Sequence, residues 1–233
     1  MRTEWIQKYA KNIRGTDWVV GDIHGHYTRL QAALDAAGFT PETDRLFACG
    51  DLVDRGPESE QAIDWLSLPW FHSVRGNHCD YVVRYHTVDT RNWIRNGGLW
   101  FQGLSEYEQF SFADKMSTLP FAIEVETSAG IVGIVHADPI VDDWHRLPDF
   151  CARRRNRESL IWSRKRVDSG DNSRVVGIDC VCVGHTPVYK PTLLGNVWHL
   201  DTAGWSDDGY FSVMRLEDLV QQARIDSPIP SSK

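Results

Sequence analysis

The sequence predicts an α/β domain, and three observations carry that prediction. Short apolar runs alternate with stretches of helical periodicity along most of the chain. Five of the apolar runs close on an Asp, an Asn or a His. No internal repeat and no linker-like segment divides the 233 residues. Residues 1–226 are therefore read as one domain, and 227–233, SPIPSSK, as a disordered tail.

WVVGD at 18–22 reads as a first buried strand, over 18–21, meeting a tight turn. A helix follows, because Leu30, Ala33, Leu34 and Ala37 keep the i, i+3, i+4, i+7 spacing and Gly38 stops it. DRLFACGD at 44–51 reads as a second strand, and Pro57 suits the first position of a helix through ESEQAIDWL. FHSVRGNH at 71–78 is a third strand-to-turn. Residues 79–118 read as mostly helical, with a break at Asn96-Gly97-Gly98, and 121–138 as a β-hairpin around SAG. Residues 139–174 are polar and irregular apart from a short helix near 156–163. Strands are expected again at 180–185, 196–203 and 210–216.

Composition narrows the class. A hydrophobic content of 42% is enough for a sizeable core. No apolar run approaches a bilayer span, and the polar N-terminal stretch carries no secretory pattern, so a cytoplasmic location without membrane contact is expected. With 32 acidic residues against 25 basic ones, the charge of −7 disfavours general nucleic-acid binding. The five cysteines, odd in number and without a C-x-x-C pair, argue against a disulfide framework or a zinc knuckle. Cys180 and Cys182 lie two apart in a strand, hence on one face, as core thiols.

The residues at the strand ends carry the chemistry. Asp22 and His24 follow the first strand, Asp51 the second, and Asn77 and His78 the third; His136 and His185 end two later strands. In α/β sheets that edge is where ligands bind. Singly, each residue has an ordinary reading as a turn residue or a hydrogen-bonded histidine. Jointly, carboxylates, imidazoles and an amide oxygen without thiolate suit Mn, Fe, Zn or Mg. One carboxylate can bridge two cations about 3.5–4 Å apart, as in phosphatases and nucleases. Glycines 21, 50, 76 and 184 leave room beside them.

GDIHG (21–25), GDLVDRG (50–56), RGNH (75–78), VHAD (135–138) and VGHTP (183–187) resemble the phosphoprotein phosphatase family of calcineurin-like metallophosphoesterases. The likeness is to the small bacterial and phage-lambda-type serine/threonine protein phosphatases, and it extends through NGGLWF, LIWSRKR and LDTA. The resemblance implies a central β-sandwich of two sheets flanked by helices, with two divalent cations, manganese foremost, at one edge. It implies that Asp22 and His24 hold the first ion, Asp51 bridges, and Asn77, His136 and His185 hold the second. His78 is then the general acid, oriented by Asp54, and Arg55, Arg75 and Arg164 grip the phosphate. The resemblance further implies a metal-bound water or hydroxide as nucleophile and phosphorylated proteins or peptides as substrates, with phosphotyrosine beside phosphoserine and phosphothreonine.

Three positions depart from the family pattern. Cys79 stands where Glu follows Gly-Asn-His, His26 where a small residue is common, and DTAG where DTG is usual. A redox role for Cys79 beside the ions is one consequence to be weighed. Two other functions compete. A symmetrical dinucleoside tetraphosphatase shares the scaffold but tends to lack the Asp of Asp-Arg-Gly and to carry Asp after Gly-Asn-His. A non-catalytic phosphoprotein-binding module would have lost a ligand or the acid histidine, and none is missing here.

Overall fold

Runs of Val, Ile, Leu, Phe and Cys too short for helices pair as strands wherever both faces can be covered. In the computed structural model, which describes residues 5–226, these are β1 (Ile6–Tyr9), β2 (Asp17–Val20), β3 (Arg45–Ala48), β4 (Phe71–Ser73), β5 (Ala122–Glu126), β6 (Ile131–Val135), β7 (Cys180–Val183), β8 (Thr192–Leu194), β9 (Val197–His199) and β10 (Met214–Arg215). Helices are α1 (Tyr27–Ala37), α2 (Ala62–Trp65), α3 (Asn77–Val83), α4 (Thr90–Trp93), α5 (Leu99–Gln102), α6 (Glu106–Ser117), α7 (Leu147–Cys151), α8 (Arg154–Trp162), α9 (Lys165–Ser169) and α10 (Leu216–Asp226).

One sheet runs β10-β2-β3-β4, with β2, β3 and β4 parallel; the other runs β1-β5-β6-β7-β9-β8, with β6, β7 and β9 parallel. The sheets face each other across a core of Val19, Phe47, Ile123, Val132, Ile134, Cys180, Cys182 and Trp198. Helices α1, α2, α3 and α6 cover the outer face of the smaller sheet, and α7 and α8 cover that of the larger. The result is the α/β sandwich flanked by helices that the resemblance implied. Cys180 and Cys182 point into the inter-sheet core while Val181 and Val183 point outward, as strand alternation requires.

Helix α1 ends at Gly38, whose left-handed φ of 78° lets its N–H and that of Phe39 close the last turn. The hairpin at 121–138 is β5 and β6 in antiparallel register. Several boundaries differ from expectation. Pro57 does not begin a helix: Gly56 N–H donates to the His24 carbonyl at 2.9 Å and Glu58 N–H to that of Gly25. These bonds tie the segment back to the first loop, and helical turns start only at Ser59. The strands expected at 196–203 and 210–216 shorten to β9 and β10, because Thr202 N–H turns back to the Leu200 carbonyl and Leu216 opens α10. Helix α10, β1 and β8 were not anticipated. The tail at 227–233 lies outside the described residues. No helix among the described residues is long and apolar enough to cross a membrane.

Candidate dinuclear metal centre

The parallel strands of both sheets deliver their C-terminal ends to one seam. Asp22 and His24 follow β2, Asp51 follows β3, Asn77 and His78 open α3 after β4, His136 follows β6, and His185 follows β7. All seven are buried. The loops are locked to one another: Ile23 and His24 N–H both donate to the Asp51 carbonyl, at 3.1 and 2.7 Å, and Gly184 N–H donates to that of His136 at 2.8 Å. His24, Asp51, Asp54, Arg55 and His185 all take positive φ, between 44° and 71°. Such strained backbone concentrates at functional sites and persists only where surrounding bonds over-determine it. Gly76 is required here, because a Cβ on it would overlap the Asp51 carboxylate.

Asp51 is the hub. Its Oδ2 lies 3.6 Å from His24 Nε2, 3.4 Å from His136 Nε2 and 4.0 Å from His78 Nε2, while its Oδ1 accepts the His78 N–H at 2.9 Å. Two groups of metal-capable atoms therefore share it: His24, Asp51 and His78, and Asp51, His136 and His185. Asp22 Oδ2 is 3.9 Å from His24 Nε2, and both Asp22 oxygens accept the His185 N–H.

Asn77 Oδ1 lies 2.8 Å from His136 Nε2, 3.0 Å from His185 Nδ1, and 3.3 Å from both Asp51 Oδ2 and the Ile161 carbonyl. A protonated His136 Nε2–H can donate to this oxygen, or the amide can turn so that its nitrogen donates to the neighbouring atoms, since oxygen and nitrogen of an amide are told apart only by their partners. Two hard oxygens and two imidazoles fit a divalent ion.

Charge at the centre is unbalanced. Burial, then the neighbouring His78, push the His24 imidazole well below its usual range; burial, then His136, push His185 down to about 3. Burial works against a charge on His136, but Asp51 and Asp22 outweigh it and raise it to about 9. Burial also opposes ionisation of Asp51, yet the surrounding imidazoles hold its carboxyl well below the ordinary value, whereas burial and then Asp201 raise Asp22 well above it. Protons here stand where divalent cations fit, since metal ligands must shed theirs.

His78 Nδ1 is 2.6 Å from Asp54 Oδ2, which leaves Nε2 facing the cluster. Asp54 is fully buried and accepts two further bonds, from Trp93 Nε1 to Oδ2 and Trp100 Nε1 to Oδ1, each 2.7 Å. The Asn-Gly-Gly break makes this support possible. Gly97, at φ 103°, presses against the Arg55 backbone where a Cβ would collide, so α4 and α5 can both aim an indole at Asp54. Trp93 was not singled out from the sequence, because nothing in its spacing marks an indole as a carboxylate partner.

The three arginines diverge. Arg55 stacks 4.3 Å over the Trp205 ring, and its Nη1 and Nη2 lie 2.8 and 3.4 Å from His24 Nε2 and His78 Nε2. Arg164 is exposed at the start of α9, near enough for its charge to bear on His185. Arg75 is placed differently from the expectation. Its guanidinium is buried, donates to the Ser117 carbonyl at 2.5 Å and lies 3.6 Å from Asp80.

The departures resolve simply. Cys79 is fully buried, with its sulfur 3.5 Å from the Leu52 N–H, and burial followed by the Asp51 charge pushes its thiol up to about 12. A protonated, enclosed thiol is a packing group, not a redox sensor. His26 stands at the N-cap position of α1 without a side-chain capping bond and belongs to neither ligand group. In DTAG, Ala203 takes a φ of 53° and its N–H bonds Asp201 Oδ1. Asp201 was missed by sequence reasoning although it ends a sixth apolar strand, the same signal as the other five. It is buried and pushed by burial up to about 6. Its Oδ2, Trp205 Nε1 and His185 Nε2 are buried polar atoms without a hydrogen-bond partner among the described residues. Arg29 holds the loop that carries Trp205, donating to the Ser206 and Gly209 carbonyls at 2.7 and 3.0 Å.

Residues 18–214 match the family model of the calcineurin-like phosphoesterases. A serine/threonine-protein phosphatase 2 from Salmonella typhimurium is 35% identical over 195 residues, covering 81% of this chain and 87% of that protein. A symmetrical bis(5'-nucleosyl)-tetraphosphatase from Dechloromonas aromatica is more distant, 27% identical over 82% of this chain and 59% of that protein. In fold, a protein serine/threonine phosphatase from Saccharomyces cerevisiae superposes with a TM-score of 0.60 at 14% identity, covering 91% of this chain and 83% of that one.

Proposed function

The chain belongs to the calcineurin-like phosphoesterase family, and from that premise we propose that it is a metal-dependent protein phosphatase acting on phosphoserine and phosphothreonine, with phosphotyrosine as a further substrate. The observation that carries the reading is the shared position of Asp51 between the two groups of ligand atoms. Asp22, His24 and Asp51 would hold one divalent cation, and Asp51, Asn77, His136 and His185 a second; carboxylate, amide and imidazole donors without thiolate suit Mn, Fe, Zn or Mg, and of these we take manganese. When bound, such a pair supplies Lewis acidity toward the phosphoryl oxygens and a water of lowered pKa.

The residues do the rest. Asp54 fixes the His78 tautomer through Nδ1, so the proton that matters sits on Nε2, directed into the site. From there His78 delivers it to the departing serine or threonine oxygen, a poor leaving group without it. Two indole N–H groups prevent Asp54 from turning away. Arg55 and Arg164 offer planar donors to the phosphate oxygens. Tetraphosphate hydrolysis is disfavoured because Asp54 is present and fully bonded. The experiment is a side-by-side assay of the manganese-loaded protein on para-nitrophenyl phosphate, a phosphoserine peptide, a phosphotyrosine peptide and a dinucleoside tetraphosphate. Turnover of the phosphoserine peptide well above the dinucleotide supports the reading; the reverse order overturns it.

A further inference from the structure

Arg75 leads to a second pocket. Beside the metal centre, between α3 and α8, lies a cavity of about 290 Å³ lined by Trp5, Arg75, Arg84, Phe121, Arg154 and Arg157, among others. Two carboxylates, Asp80 and Glu158, also face it. Arg84 Nε pairs with Asp80 at 2.6 Å, and Arg154 Nε lies 3.9 Å from Glu158. That leaves Arg75 and Arg157. Arg75 reaches Asp80 only at 3.6 Å, and its Nε, buried, has no hydrogen-bond partner. Among the described residues, Arg157 has no carboxylate within ion-pair distance; it donates to the Cys151 carbonyl at 2.5 Å and stacks 3.8 Å over Trp5.

Both guanidiniums share one aromatic floor, with their carbons 4.8 and 5.7 Å from the Phe121 centroid. Two guanidiniums meet over one apolar floor with only Asp80, at 3.6 Å from Arg75, beside them, and Arg75 Nε still lacks a partner, so a further anion between them would be attracted to both. Planar forks of this kind match a tetrahedral oxyanion. The pocket also adjoins the centre: Arg75 is two residues before Asn77, and Ile161, another lining residue, has its carbonyl 3.3 Å from Asn77 Oδ1.

We propose that this cavity is a second, non-catalytic binding site for a phosphate-type oxyanion, held by Arg75 and Arg157 over Phe121. An anion seated there ties α3 to α8 behind Asn77. Its source is either free inorganic phosphate, released by the reaction, or a second phosphoryl group on a substrate polypeptide. The site does not depend on which phosphoester is cleaved.

The test uses the full chain. Its melting temperature is followed with inorganic phosphate at about 20 mM, against chloride of equal ionic strength, with and without manganese. For a Kd of about 5 mM the expected rise is about 3 °C, seen also in the chelated protein and lost in Arg157→Gln. Arg157→Gln should keep the wild-type kcat on para-nitrophenyl phosphate. Should Arg157→Gln not fold, Arg157→Lys keeps the stem and charge but not the fork, and should show a reduced rise. A bisphosphorylated peptide with a lower KM than its monophosphorylated form, in wild type but not in the variant, assigns the site to substrate; equal KM values with the phosphate shift intact assign it to free phosphate. A phosphate shift no larger than that of chloride, or one identical in wild type and both variants, overturns the proposal.

Discussion

The two sheets contribute unlike halves to the site. The four-stranded sheet supplies Asp22, His24, Asp51, Asn77 and His78 through loops with left-handed residues at His24, Asp51, Asp54 and Arg55. The six-stranded sheet supplies His136, His185 and Asp201, with positive φ only at His185 among these three. One half is built by strained, interlocked loops rich in carboxylate; the other is largely a set of imidazoles at the ends of regular strands. Where they meet, Asp51 Oδ2 lies within 3.6 Å of a histidine from each side. Precise placement of a shared carboxylate needs the over-determined half, while terminal ligands need only a strand to aim them.

That contrast can be broken at the seam first. Asp51→Asn removes the one group common to both halves; kcat should fall by more than about 10³-fold, and calorimetry should show both cations bound more weakly. A variant that loses only one ion would mean the halves are independent. His78→Asn touches the strained half alone. It should leave metal content unchanged while kcat drops about 10²–10⁴-fold on an alkyl phosphate, and less on para-nitrophenyl phosphate, whose leaving group needs no proton. Loss of a cation in that variant would make His78 a ligand, which its distance from Asp51 alone allows.

Trp205→Ala removes the ring beneath Arg55 without touching a ligand. A stacked guanidinium contributes about 0.5–2 kcal/mol, so KM should rise roughly two- to thirtyfold with kcat nearly unchanged, and Trp205→Phe should recover most of it. The smallest effect sharpens the imidazole half. In the metal-free chain His136 stays protonated up to about pH 9, so a cation must expel that proton. Manganese affinity should therefore rise about tenfold per pH unit between 6 and 8, with at least one proton released per chain in a buffer-dependence titration; an affinity flat in pH would contradict the assignment of His136.

What was legible in the sequence follows the same divide. Strand ends carrying Asp, Asn or His are local signals, and Asp22, Asp51, Asn77, His136 and His185 come together as that pattern suggested. Asp201 carried the same signal at the end of β9 and was passed over. The α10 pattern was equally readable, with Leu216, Leu219, Val220 and Ala223 at helical spacing and all buried. Other features were not readable. Trp93 and Trp100 meet Asp54 from 39 and 46 residues away, and no local rule links an indole to a distant carboxylate. Arg75 sits in a motif read as phosphate-binding, yet its side chain is claimed by the Ser117 carbonyl and Asp80. Motif position fixes where a backbone goes, and packing decides where a long side chain points.

A carboxylate shared by two cations across the seam between the sheets would couple their spins. Electron paramagnetic resonance of the protein loaded with two equivalents of manganese tests it most directly. A spin-coupled pair, replaced in Asp51→Asn by the signal of isolated ions, is the predicted result. Isolated, uncoupled manganese at every loading of the wild-type protein would contradict it.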